Sequence, residues 1–253
     1  MGSFENLNVD AISNLPADVI NNILARLSLR DAVRTSVLSR EWRYKWTFIP
    51  EIVFGYEFGR AFLRKHIERI IDQVLSRHQI ASSILLFCLS WRNCICTKFM
   101  GTGGVPNRFP DSFSSLIVVD LSMYLDSIVE VASFLCLIRS SPKLQMLRVT
   151  LCVYRIDGAV TELLRAQETP DRYLNQLRRV EIEVYTYADP LKEFARYVLA
   201  CAARLEEMVI YDPKPRFSRG SLLNLTNELN RLPRASPSAD LLVIKQDELT
   251  QQC

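Results

Sequence analysis

Histidine is scarce in this chain: only His66 and His78 occur in 253 residues, both within one basic, helix-patterned stretch. A solvated helix face explains such residues better than a catalytic base does, so the commonest acid–base side chain is missing from most of the sequence. The seven cysteines are Cys88, Cys94, Cys96, Cys136, Cys152, Cys201 and Cys253, an odd number with no C-x-x-C pair. That excludes a disulfide framework, and no ligand at zinc-finger spacing accompanies Cys94 and Cys96. Cys136 and Cys201, set in apolar stretches, read as small core residues. Long apolar runs are also lacking: Ile84 to Leu89 falls far short of the roughly 18 residues of a membrane span, so the expectation is a soluble chain. An excess of one charge sign is absent too, with 31 Lys and Arg against 28 Asp and Glu. A net charge of +3 gives no reason to expect a nucleic-acid surface. The start of the chain has neither the basic nor the apolar region of a secretory signal, and Asn6 stands where a myristoylation motif requires Ser or Thr. The glycines of Gly101-Thr102-Gly103-Gly104 lack the Gly-Lys-Ser/Thr ending of a phosphate loop.

What is present is a foldable composition, 49% apolar and 23% charged, long enough for one large domain or for a small domain joined to a larger one. Residues 12–50 carry apolar positions at helical spacing, divided by punctuation into three short helices. The first opens at Pro16 with Asp18 in its first turn, and has the stripe Val19, Ile20, Ile23, Leu24 and Leu27. Ser28 and Asp31 have the spacing of a capping box opening a second helix, with Ala32, Val33, Ser36 and Val37 turned inward. Ser39 caps a third, in which Trp42 and Trp46 share a face. So small a unit cannot bury both faces of three helices. Leu15, Ile23, Val37 and Trp42 therefore require a surface outside it, on the rest of the chain or on a partner.

These residues resemble a known family. Leu15-Pro16-Ala17-Asp18-Val19-Ile20, Ile23-Leu24, Leu27, the run Asp31 to Arg40 and Trp42-Arg43-Tyr44-Lys45-Trp46 resemble an F-box. The string Arg34-Thr35-Ser36-Val37-Leu38-Ser39, followed by Trp42 and Trp46, is similar to the plant F-box/FBD/LRR-repeat group. The resemblance implies a substrate receptor of an SCF-type cullin-RING ubiquitin ligase, docking on the Skp-type adaptor and through it on cullin and RING subunits. It implies a non-catalytic subunit without cofactor or metal. The adaptor contacts it implies fall on Leu15, Pro16, Ile20, Ile23, Leu27, Val37, Leu38 and Trp42.

Beyond the F-box, residues 51–80 read as a linker with an amphipathic helix over 58–79, whose basic side is a solvated face rather than an acidic-ligand site. Residues 81–112 read as an irregular segment. Four later segments share the pattern Leu-x-x-apolar-x-apolar, led by Leu116, Leu144, Leu177 and Leu205, at spacings of 28, 33 and 28 residues. The spacing is at or just above the leucine-rich-repeat range, and the alternation is that of strands with one buried face. Helical patterns over 127–139, 158–167 and 191–204 fill the intervals. The expected fold is α+β or α/β: a three-helix F-box over 12–50, then a short leucine-rich-repeat-like strand-helix solenoid over 113–245, between tails at 1–11 and 246–253. The strings from Leu177, from Arg204 and from Leu232 to Ala239 look like the FBD segment that closes such chains.

Family members usually carry more repeats between the two regions, and the first unit here would lack its usual neighbour. Unless the 58–79 helix covers it, Leu116 and Val119 would form an exposed apolar patch. Two functions follow: a receptor that delivers an unknown target, or a shortened protein that occupies adaptor without delivering one. An enzyme would have to rely on carboxylates alone, because the C-terminal domain has no histidine. Absent signal and reduced thiols fit the cytosol or nucleus, with no basic cluster to mark nuclear import.

Overall fold

The computed structural model describes residues 15–49, 51–54, 74, 86–89, 113–152, 158–166, 172–184, 189–212 and 219–245. Pro16 precedes α1 (Ala17–Leu24), and its carbonyl accepts the Ile20 N–H at 3.0 Å, so the helix begins one residue after the proline. Ser28 opens α2 (Leu29–Arg34) as a capping residue: its Oγ accepts the Asp31 N–H at 3.2 Å and donates to the Asp31 carboxylate at 2.7 Å. The third element differs from the expected α-helix. After a 3-10 turn at Thr35–Val37, residues Trp42–Phe48 form a second 3-10 segment. Thr47, fully buried, donates its hydroxyl to the Tyr44 carbonyl three residues back at 2.6 Å, consistent with that tighter winding. The expected cap is present, with the Trp42 N–H on Ser39 Oγ at 3.3 Å.

Seven parallel strands follow, and they lie in the sheet in chain order: β1 (Glu51–Phe54), β2 (Leu86–Leu89), β3 (Val118–Tyr124), β4 (Met146–Cys152), β5 (Arg179–Val184), β6 (Glu207–Asp212) and β7 (Asp240–Lys245). Helices Ile128–Arg139, Gly158–Ala166, Asp189–Cys201 and Arg219–Asn230 follow β3, β4, β5 and β6 in turn. The four leading leucines, Leu116, Leu144, Leu177 and Leu205, are all buried, each just ahead of its strand.

The repeat is visible in the backbone hydrogen bonds. The Ile117 carbonyl accepts the N–H groups of both Gln145 and Met146, that of Gln145 accepts Arg178 and Arg179, and that of Arg178 accepts Glu206 and Glu207, all at 2.8–3.1 Å. Ser236 ties the last turn to the one before it by donating to the Leu205 carbonyl at 2.7 Å. Within the first turn, Ser127 caps its helix, and the buried Glu130 accepts the Tyr124 N–H at 2.8 Å, joining helix start to strand end.

Three sequence expectations are corrected. The linker opens with a strand, β1; the segment read as irregular contains β2; and a strand and helix beyond Leu205 complete the sheet. Both early strands are four residues long, and Leu86-Phe87-Cys88-Leu89 is apolar throughout, so neither supplies the alternation that identifies a half-buried strand. With β2 as their neighbour, Leu116 and Val119 are fully buried, and the anticipated apolar patch does not exist. The 58–79 helix lies outside the described residues except for Val74, which is buried. One core cluster runs from Ile20, Leu24, Trp42 and Trp46 through Ile49, Ile52 and Phe54 to the inward residues of β3–β6. Cys136 and Cys201 belong to the interior as expected, and burial raises the Cys136 thiol pKa against the opposing pull of Arg139.

Candidate partner-binding surfaces

The N-terminal unit divides its apolar residues between two roles. In α1, Ile20 and Leu24 are buried, whereas Val19 and Ile23, four residues apart, and Leu27 in the bend beyond the helix each keep a little over a third of their surface exposed. The five residues that read as one stripe are thus two neighbouring stripes, one facing the core and one facing outward. Beyond α2, Val37 is 86% exposed and Leu38 is 56% exposed, so Val37 points outward rather than inward as the periodicity suggested. The reason is the change to 3-10 winding at Thr35–Val37, which rotates successive side chains by about 120° instead of 100°.

Of the eight candidate residues, Pro16, Ile23, Leu27, Val37 and Leu38 are exposed, Leu15 is half-buried against the core, and Ile20 and Trp42 are interior. The last two hold the unit together and have no free surface to offer. Tyr44 and Phe48 on the 3-10 segment, together with Val19, are exposed apolar residues that sequence reasoning did not select. A signal for Val19 existed in its four-residue spacing from Ile23. Tyr44 and Phe48 carried none, because helical numbering of that segment misassigns its faces.

The second surface is the side of the sheet opposite the helices. In register across the strands run Val118, Met146, Arg179, Glu207 and Asp240; then Asp120, Arg148, Glu181, Val209 and Leu242; then Ser122, Thr150, Glu183, Tyr211 and Ile244. Arg148 and Arg179 both donate to Glu181, each at 2.8 Å, and Arg179 also bonds Glu207. Thr150 donates to Glu183 at 3.2 Å. Burial alone would raise the Glu181 pKa, but the hydrogen bonds and charges of Arg148 and Arg179 outweigh it and hold the carboxyl below its usual value. Asp120 moves the other way, raised by burial first, with Arg148 opposing and Glu181 and Glu183 adding to the rise.

A lowered carboxylate pKa stabilises the fold above the unfolded-state value and loses that contribution as pH falls through the folded-state value. Glu181→Gln is therefore expected to destabilise the chain at pH 7 and to match wild type more closely below pH of about 4. Urea midpoints at pH 7 and pH 3 measure this, and a constant difference between the two would remove the ion-pair explanation. Arg148 and Arg179 are half exposed, so the effect at neutral pH is limited to about 1 kcal/mol.

Among the described residues no group of His, Cys, Asp and Glu is arranged to hold a metal ion, and no helix is long and apolar enough to cross a membrane.

The family model for the F-box domain matches residues 12–50. An Arabidopsis thaliana F-box/FBD/LRR-repeat protein is 41% identical over 90 residues, 34% of this chain and 22% of its own length. The chain carries an F-box domain and is similar to plant F-box/FBD/LRR-repeat proteins. A putative F-box/FBD/LRR-repeat protein of the same plant is 26% identical over 175 residues, covering 61% of this chain and 43% of the relative. A putative FBD-associated F-box protein from it is 26% identical over 203 residues, covering 72% and 46%. The matched part of this chain spans less than half the length of these relatives.

Proposed function

We propose that this F-box protein is the substrate receptor of an SCF-type cullin-RING ubiquitin ligase, with no catalytic role of its own. Its F-box docks on the Skp-type adaptor, and the parallel-sheet domain, read as a short leucine-rich-repeat solenoid with an FBD ending, presents a target protein in the cytosol or nucleus. The observation that carries the reading is the second, outward apolar stripe of the F-box, Val19, Ile23 and Leu27, with Val37 and Leu38 exposed beyond it. Exposed aliphatic side chains grouped on so small a unit are costly in water and mark a surface that a partner covers.

The test is a binding titration of the purified chain, and of a Leu15→Ala/Pro16→Ala double variant, against the Skp-type adaptor. Sub-micromolar affinity is expected for the wild type, with a loss of about 1 to 3 kcal/mol, or roughly ten- to a hundredfold, in the variant. A folded wild-type chain that ignores the adaptor would overturn the proposal. An unchanged affinity in the variant would remove Leu15 and Pro16 from the interface.

A further inference from the structure

The open side of the sheet carries an uneven set of charges. Its outward positions on β3–β7 hold the carboxylates of Asp120, Glu181, Glu183, Glu207 and Asp240 but only two cations, Arg148 and Arg179. Both guanidiniums are already committed, Arg148 to Glu181 and Arg179 to Glu181 and Glu207. Among the described residues, two carboxylates near the middle of the face have no cationic hydrogen-bond partner. Asp120, half-buried, has the charge of Arg148 nearby but accepts no hydrogen bond, and Glu183 accepts only the neutral hydroxyl of Thr150. Tyr211 stands in register beside Glu183, in the row that continues to Thr150 and Ser122.

Asp120 and Glu183 lie two strands apart and two residues apart along the strands, about 12 Å, a span that takes two cationic side chains of one extended segment. Tyr211, beside Glu183 in the row that runs on to Ile244, adds an aromatic surface for a cation held there. The phenol is raised above its usual value by burial first and then by the charges of Glu183 and Glu181, with Arg148 opposing.

We propose that the open sheet face around Asp120, Glu183 and Tyr211 receives a lysine- or arginine-bearing segment of the target protein. The inference rests on the receptor reading and adds the chemistry of what is received. Charge complementarity selects the partner: an acidic segment would meet three more carboxylates than cations, and an apolar one would strand Asp120 and Glu183 without water or counter-charge.

The experiment uses the full chain, a fluorescent dodecapeptide of alternating lysine, arginine and serine, its glutamate counterpart, and free spermine. Fluorescence anisotropy is read for the wild type, for Asp120→Asn/Glu183→Gln and for Tyr211→Leu, with thermal melts to verify folding. The basic peptide is expected to bind the wild type, to weaken about tenfold in the double variant and severalfold in Tyr211→Leu, and to weaken with added salt. Equal affinity of the folded double variant for the basic peptide would overturn the proposal, and so would equal binding of the acidic peptide. Spermine binding as tightly as the peptide would also overturn it, because the face would then select charge rather than a protein segment. Titration of the same chains with Skp-type adaptor separates the two levels. Adaptor binding without a peptide effect defeats this inference alone, whereas absence of adaptor binding by the wild type defeats the receptor reading beneath it.

Discussion

Phe54→Ala is expected to lower the unfolding free energy by about 3–5 kcal/mol, and to do so for the F-box and the sheet together. Phe54 is fully buried at the end of β1, and Ile52 beside it on the same side of the strand is fully buried as well. The chain reaches this strand straight from Trp46, Thr47 and Ile49, all interior residues of the F-box. The same core cluster that contains them continues into Leu116, Val119 and Val180. An aromatic ring deleted at such a junction leaves a cavity lined by both parts, and neither part can close it without moving the other. Urea unfolding followed by tryptophan fluorescence, in a Trp91→Phe background that removes the third tryptophan, samples Trp42 and Trp46 in the F-box, while far-UV circular dichroism samples the whole chain. The two signals should share one midpoint in the wild type and shift by the same amount in the variant. A tryptophan transition left in place while the dichroism moves would mean that the F-box folds on its own and that the shared core does not couple them.

That coupling shows which features the sequence made legible. The four strands led by Leu116, Leu144, Leu177 and Leu205 were readable because each alternates buried and open positions over several residues, and the structure places them as β3 to β6. Ser28 and Ser39 were readable as caps because a cap needs only local spacing. β1 and β2 were not, being four residues each, with β2 wholly apolar. Their consequence, a first repeat with a covered end, was therefore missed. The F-box candidates were readable as a group but not individually. Whether an apolar residue such as Ile20 or Ile23 faces core or solvent depends on a rotation of about 60°, which a stripe of five apolar positions does not resolve. The charged rows of the open sheet face were out of reach of sequence reasoning for a different reason: Arg148 meets Glu181 only once the 33-residue repeat has set the register.

Val37→Asp/Leu38→Asp is expected to weaken adaptor binding roughly a hundredfold or more while leaving the fold within about 0.5 kcal/mol of wild type. Both side chains are mostly in water in the free chain, so the carboxylates cost little there. At an apolar interface the same groups lose their hydration with no cation to replace it, and that penalty falls on the complex alone. Trp42→Ala should do the reverse. Its ring is interior, and its backbone N–H is held by Ser39, so truncation is expected to remove about 3–5 kcal/mol of stability. Adaptor binding should then fall only as far as the unfolded fraction requires. Measuring affinity and denaturant midpoint for both variants distinguishes a contact residue from a scaffold residue, because each moves one quantity and spares the other. If Trp42→Ala stayed fully folded and still lost the adaptor, the interior position of the ring would not be what binding uses. The F-box would then have to open on docking and present Trp42 itself to the partner.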